Sequence, residues 1–359
     1  MSTLNLIRPD LATLETYLIN DQTNDCLLHA NELPWCPPIM TNTIETIQFN
    51  RYPTLAPKKQ LQMVLANCYD INPNELLLTR GSDEGIDLLM RLFLRPGVDS
   101  IMQCPPTFSM YAFFARLQQA FVINCPLQEN DAGFYLDRKS MTACWQPNCK
   151  LIILCRPNNP TGELIDLETI ACLCKQYANQ SMIVVDEAYI EFSEEQSATS
   201  LINQFDNLMV LRTLSKAYGL AGLRLGAVIA QATLIKSLNK LCAPFPLSSA
   251  VIELALNALQ NKTWFTTTQQ RIKQLRADLA KKLETLSWIE KVYPSAANFL
   301  LIKTPYATSL AIWFQQHRIV IRAFSDNPQL KNYLRITVGN DTQNTQLLAA
   351  LAAFVGGDS

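Results

Sequence analysis

The sequence predicts an α/β protein: a large domain with a mostly parallel sheet covered by helices, followed by a smaller α/β domain. Two observations carry this. Apolar runs alternate with helix-like patterns through residues 76–261, as strands buried on both faces do. After a long helical stretch at Trp264–Leu286 the pattern changes to shorter strands closed by a final helix.

In chain order, strands are expected at Leu76–Thr79, Ser100–Gln103, Ala120–Cys125, Leu151–Cys155, Met182–Asp186, Leu208–Arg212 and Leu225–Ala230. Glu84–Leu94 and Ser248–Asn261 have helical spacing. Asp166 is placed to cap a helix whose Leu167, Ile170, Ala171, Cys174 and Ala178 form an apolar stripe. The later strands are Ile289–Tyr293, Asn298–Ile302, Ile319–Arg322 and Leu334–Thr337. Prolines 34, 37 and 38 mark an extended N-terminal segment, and Pro244 and Pro246 a loop before the Ser248 helix. The expected division is an N-terminal arm or part of the small domain at 1–45, the large domain at 46–262 and the small domain at 263–359.

With 48% hydrophobic residues the chain can bury sizeable cores, and its net charge of −1 argues against nucleic acid as a partner. No apolar run reaches membrane-spanning length, and Met1-Ser-Thr-Leu-Asn lacks a signal-peptide pattern, so a cytoplasmic protein without membrane partners is expected. The 11 cysteines are scattered, with no Cys-x-x-Cys pair, which points to reduced thiols and no metal site. His29 and His317 are the only imidazoles, which weakens Ser-His and Cys-His hydrolase readings.

The unusual residues collect at strand ends, where open parallel sheets bind ligands. Thr213-Leu-Ser215-Lys216 places a lysine in a hydroxyl- and glycine-rich turn that continues to Arg224. Lysine forms imines with carbonyl compounds once deprotonated. Arg80-Gly81-Ser82-Asp83 opens a helix and offers backbone N–H groups to an anion. Phe108 offers a stacking surface, and Asn159, in a proline-bounded loop, offers an amide. A buried apolar strand ends in Asp186, with Tyr189 three residues on; such a carboxylate would keep a pyridine nitrogen protonated, and the phenol could bond a cofactor oxygen. Taken singly, these are ordinary caps, turns and core aromatics. Together they supply every part that pyridoxal 5′-phosphate requires.

On these residues the chain resembles the fold-type I pyridoxal-phosphate aminotransferases, and more narrowly the histidinol-phosphate aminotransferase family. The superfamily blocks are Pro157-Asn-Asn-Pro-Thr-Gly162, Asp186-Glu-Ala-Tyr189 and Ser215-Lys216. The narrower ones are Arg51-Tyr52-Pro53, Arg80-Gly-Ser-Asp-Glu-Gly85 and Leu334-Arg-Ile-Thr-Val-Gly339. The resemblance implies Lys216 as Schiff-base residue and proton shuttle, Asp186 on the pyridinium, Asn159 and Tyr189 on the phenolic oxygen, and Phe108 on the ring. It implies Ser82, Asp83, Ser215 and Arg224 on the phosphate, joined by Tyr52 from the second subunit of a homodimer. Arg335 with Arg322, and Asn31, would bind the substrate.

The implied reaction exchanges the amine of histidinol phosphate with 2-oxoglutarate, giving imidazole-acetol phosphate and glutamate in histidine biosynthesis. An aromatic amino-acid aminotransferase shares nearly all these residues, and a pyridoxal-dependent threonine-phosphate decarboxylase is similar. An aminotransferase-like sensor in a transcription regulator would need an attached DNA-binding helix-turn-helix, for which the N-terminal segment is too short. The chain departs from the family at Phe108, where tyrosine is common, at His29, where a small polar residue is common, and at Arg156. His29 is therefore read as a partly buried loop residue outside the catalytic set, and Arg156 as a surface change or an extra contact near the cofactor.

Overall fold

The computed structural model describes residues 6–12, 26–39, 47–324 and 327–354, so positions 1–5, 13–25 and 40–45 of the expected arm lie outside the described residues. The main sheet has seven strands, in the order Leu76–Thr79, Gly226–Ala230, Leu208–Thr213, Met182–Asp186, Cys149–Cys155, Ser100–Gln103 and Phe121–Asn124. Gly226–Ala230 is antiparallel to both neighbours; the remaining pairings are parallel. Its link from the preceding strand runs through a 3₁₀ turn at Ala221–Leu223.

Burial explains why these strands are legible. Leu208–Thr213 and Gly226–Ala230 are buried at every position. Alternate residues feed two separate cores: Ile183, Val185, Leu208 and Val210 pack on one face, Val184, Met209 and Leu211 on the other. Each such side chain contributes about 1.5–3 kcal/mol by leaving water. Helices cover both faces. Leu167–Gln176 is capped by Asp166, whose side chain accepts from Thr169 N, and Ser248 caps Ser249–Leu259 through Val251 N.

The second sheet has five strands, in the order Cys26–Leu28, Ile319–Ala323, Tyr333–Thr337, Phe299–Lys303 and Lys291–Val292. Lys262–Glu284, a 23-residue helix, leads into it from the main sheet. Cys26–Leu28 reaches this sheet from the far end of the sequence and pairs parallel with Ile319–Ile321. Three residues are too few for a periodic signal. Leu55–Tyr69 and Ala307–Gln316 also form helices without having been expected; the exposed Met63 and Ile312 blur their stripes. No helix among the described residues is long and apolar enough to cross a membrane.

Candidate active site

Gly226 lies in register with both Thr79 and Thr213, and this brings the Gly81 turn and the Ser215 turn together at one sheet edge. The approach is close enough to require glycine. A Cβ on Gly226 would lie 2.6 Å from the carbonyl carbon of Gly81 and 2.7 Å from Ser82 N, and one on Gly81 (φ +74°) would lie 2.8 Å from Arg224 Nη2. The Gly81–Phe93 helix begins here, with Ser82 and Asp83 in its first turn, where backbone N–H groups lack helical acceptors. Arg224, itself left-handed at φ 50°, donates from Nη1 to Ser215 Oγ (3.3 Å) and from Nη2 to Asp83 Oδ2 (3.2 Å). Thr213 Oγ1 donates to Ser215 Oγ at 3.0 Å and accepts from Ser215 N at 3.1 Å, fixing the turn. The result is a cup of helix N–H groups, a hydroxyl and a guanidinium, suited to a phosphate.

Asp186, at the end of a central strand, is buried. Its Oδ2 accepts from Tyr111 Oη at 2.7 Å and its Oδ1 from Ala188 N at 3.1 Å. Burial pushes its carboxyl up to about 6, partly opposed by the Tyr111 hydrogen bond. Both of these partners are neutral, so a buried anion stands without a counter-charge from them. A protonated pyridine nitrogen would supply one.

Lys216 Nζ donates to Ala30 O at 2.7 Å. Burial, followed by repulsion from Arg335, lowers its amine to about 8, so a useful fraction is neutral near physiological pH. Tyr189 Oη accepts from Asn31 Nδ2 (3.0 Å) and Asn159 Nδ2 (3.4 Å), and burial raises its phenol. Phe108 is half-buried and meets Tyr111 edge to face at 5.6 Å.

The second sheet closes the site. Arg335 is buried and donates from Nη1 to Asn159 Oδ1 and from Nη2 to the carbonyl of His29. Arg322 lies opposite it in register and is more exposed. Asn31 takes a left-handed conformation (φ 54°), donates its backbone N–H to Thr337 Oγ1, and accepts at its carbonyl from Asn298 Nδ2. Residues 29–31 thus touch Arg335, Lys216 and Tyr189 in succession.

Two of the sequence-derived residues differ in setting from the rest. Tyr52 is 76% exposed and stacks on Phe245 at 4.5 Å, and Arg156 is fully buried against Glu187, ruling out a surface position. Tyr111 is the functional candidate that sequence reasoning missed. It was visible only as a tyrosine in the segment after the Ser100–Gln103 strand, and its link to Asp186 spans 75 residues.

These residues fit pyridoxal phosphate on three features: the glycine-bound anion cup, the buried carboxylate with neutral partners, and the low-affinity proton on Lys216. No group of three or more potential metal ligands occurs among the described residues.

A family model described as aminotransferase class I and II matches residues 19–351. "Histidinol-phosphate aminotransferase 1" of Legionella pneumophila (strain Lens) is 50% identical over 354 residues, covering 99% of this chain and 96% of that protein. "Histidinol-phosphate aminotransferase" of Xylella fastidiosa (strain 9a5c) is 41% identical, covering 97% and 96%. A crystal structure of histidinol-phosphate aminotransferase from Sinorhizobium meliloti in complex with pyridoxal-5′-phosphate shares the fold with a TM-score of 0.85, at 21% identity and 96% coverage of each chain.

Proposed function

The chain belongs to the aminotransferase class I and II family, and from that premise we propose that it exchanges the amine of L-histidinol phosphate with 2-oxoglutarate, giving imidazole-acetol phosphate and L-glutamate in histidine biosynthesis. The cofactor is pyridoxal 5′-phosphate. The observation that carries the chemistry is the pairing, at adjacent strand ends, of a buried Asp186 lacking a cation with a desolvated Lys216.

When bound, the cofactor supplies an electrophilic carbonyl carbon and a cationic ring that accepts the electron pair left at the donor's Cα. In this proposal Lys216 Nζ would anchor the cofactor and, as a free amine, would move the proton at the donor's Cα. Its lowered affinity for protons suits both tasks near neutral pH. Asp186 holds the ring nitrogen protonated, and Tyr111 fixes the carboxylate's orientation. Asn159 and Tyr189 hold the phenolic oxygen, Phe108 packs on the ring, and Ser82, Asp83, Ser215 and Arg224 hold the phosphate. Arg335, Arg322 and Asn31 receive the substrate, the two guanidiniums through planar forks.

The working form in this reading is a cytoplasmic homodimer. The exposed Tyr52–Phe245 stack supports it, because a flat aromatic pair in water suits burial by a second copy, from which Tyr52 would reach the phosphate of the other subunit's cofactor. The domain division at 46 and 263 belongs to the same proposal, the main sheet carrying the cofactor and the second sheet the substrate's anionic end.

Half-reaction kinetics of the cofactor-loaded enzyme with histidinol phosphate and with phenylalanine test the substrate. We expect kcat/KM for histidinol phosphate to be higher by about 100-fold or more, as for a site built around a polar group that the competitor lacks. A reversed preference favours the aromatic enzyme, and carbon dioxide release from threonine phosphate the decarboxylase.

A further inference from the structure

His29 departs from the family pattern, and the second sheet gives it a place. Leu28 pairs with Ile321 at the end of the parallel ladder, His29 follows in a bend directly beyond it, and Arg322, next after Ile321, pairs with Arg335 on the adjoining strand. Side chains alternate along a strand. Leu28, Ile321, Leu334 and Ile336 point into the small-domain core, which leaves Arg322 and Arg335 side by side on the opposite face, and the His29 ring beyond the strand end lies within electrostatic reach of both and of Lys216.

The imidazole is half-buried, and its buried Nδ1 has no hydrogen-bond partner. The large majority of buried side-chain polar atoms in folded proteins have a partner. Beside two arginines of the substrate end, this atom is open to a contact with a bound anion.

We propose that His29 is a specificity-determining residue, completing with Arg322 and Arg335 a cluster that receives the phosphate end of a phosphorylated amino donor and taking up a proton from solvent as that phosphate binds. This rests on the substrate reading above and adds a residue and a charge change to it.

The electrostatics supply the direction. The charged groups around the ring are Glu32 on its own segment, Arg322 and Arg335 from the neighbouring strands, and Lys216 from the cofactor side. Burial first, then the three cations, lower the imidazole's affinity for a proton, while Glu32 opposes them. The ring is therefore neutral at neutral pH in the free site. A dianion beside it reverses the balance and favours imidazolium, which donates a charge-assisted hydrogen bond. A carboxylate carries half that charge and draws the proton less, so the cluster discriminates by charge between two anions that both fit a guanidinium fork.

The test has two arms, both on cofactor-loaded protein so that the cofactor's own phosphate site is filled. In the first, sulfate, a dianion that does not titrate near neutrality, is titrated calorimetrically at pH 7.5 in two buffers of different ionisation enthalpy. Wild type should bind with net proton uptake, and His29→Asn should bind without it; no binding, or binding without uptake in wild type, overturns the proposal.

In the second arm, KM for histidinol phosphate is followed from pH 6.5 to 8.5, where the donor phosphate is mostly dianionic. Protonated His29 favours binding, so affinity is lost as pH rises through the imidazole's value in the complex. Wild-type KM should climb by up to about tenfold per pH unit relative to His29→Asn. At pH 7 the variant's KM should be about tenfold higher than wild type for histidinol phosphate and clearly less affected for phenylalanine.

Parallel pH profiles in the two proteins overturn the role of His29 while leaving the proposed reaction standing. Failure of wild type to use histidinol phosphate at any pH overturns the reaction, and the sulfate arm still judges the cluster. If His29→Asn does not fold, the wild-type proton uptake alone decides.

Discussion

Asp186 and Glu187 are consecutive and buried, yet they sit in opposite chemical surroundings. Glu187 is saturated: Oε1 accepts from Arg156 Nη1 and Ala198 N, both at 2.8 Å, while Oε2 accepts from Ser197 Oγ and lies 3.5 Å from Arg212. Arg212 pairs in turn with Glu191 at 2.7 Å and stands 4.4 Å over the Tyr69 ring. Two arginines balance two glutamates, and both oxygens of Glu187 are engaged. Asp186 has hydrogen bonds from a phenol and a backbone amide, and its carboxyl is pushed up to about 6.

The difference separates a carboxylate that holds the fold from one held ready for a ligand. Charges buried with complete partners are costly to break, because removing one partner strands the others. A buried anion with neutral partners costs stability until its cation arrives, which is how a site comes to be poised for a cofactor.

The comparison can be broken most decisively at the lysine that faces Asp186 across the proposed cofactor. Lys216→Ala should lower kcat by about 10⁴-fold with little change in thermal unfolding, measured by steady-state kinetics and calorimetry. Glu187→Gln should do the reverse and destabilise the protein by about 3–5 kcal/mol in denaturant unfolding. Equal losses of activity and stability in both variants would erase the distinction.

Asp186→Asn sharpens it further. The folded protein holds the Asp186 proton more tightly than the unfolded chain does, so between about pH 4 and 6 the folded state binds more protons and stability falls as pH rises. The penalty is fully present above about pH 6. Cofactor-free Asp186→Asn should therefore be more stable than cofactor-free wild type at pH 7.5, by up to about 3 kcal/mol, with the gain vanishing near pH 4. Tyr111→Phe is the smallest change. It removes a hydrogen bond that favours the carboxylate, so the fall in cofactor-free stability should extend to higher pH and activity should drop by up to about tenfold.

The same physics decides what was legible in the sequence. The central strands could be bounded to within about two residues because burial on both faces demands unbroken apolar runs, which stop at polar residues such as Asp186 and Thr213. Asn159, Asp186 and Lys216 stood out because they follow such runs in turns shaped by proline, glycine and hydroxyl residues. The Leu55–Tyr69 helix was silent, with only Leu61, Leu65, Ala66 and Tyr69 of its 15 residues buried. The roles of Tyr111 and His29 were silent for another reason. Their meaning lies in partners on other strands, and a linear pattern does not carry pairings such as Leu28 with Ile321.

The proposed assignment turns on Lys216 as the covalent anchor of the cofactor. Borohydride reduction of the cofactor-loaded protein, followed by peptide mass mapping, measures this directly. The expected result is one reduced pyridoxyl phosphate group, on the peptide and at the residue of Lys216, together with loss of activity in proportion to labelling. Labelling of a different lysine, or a fully active Lys216→Ala protein, would contradict it.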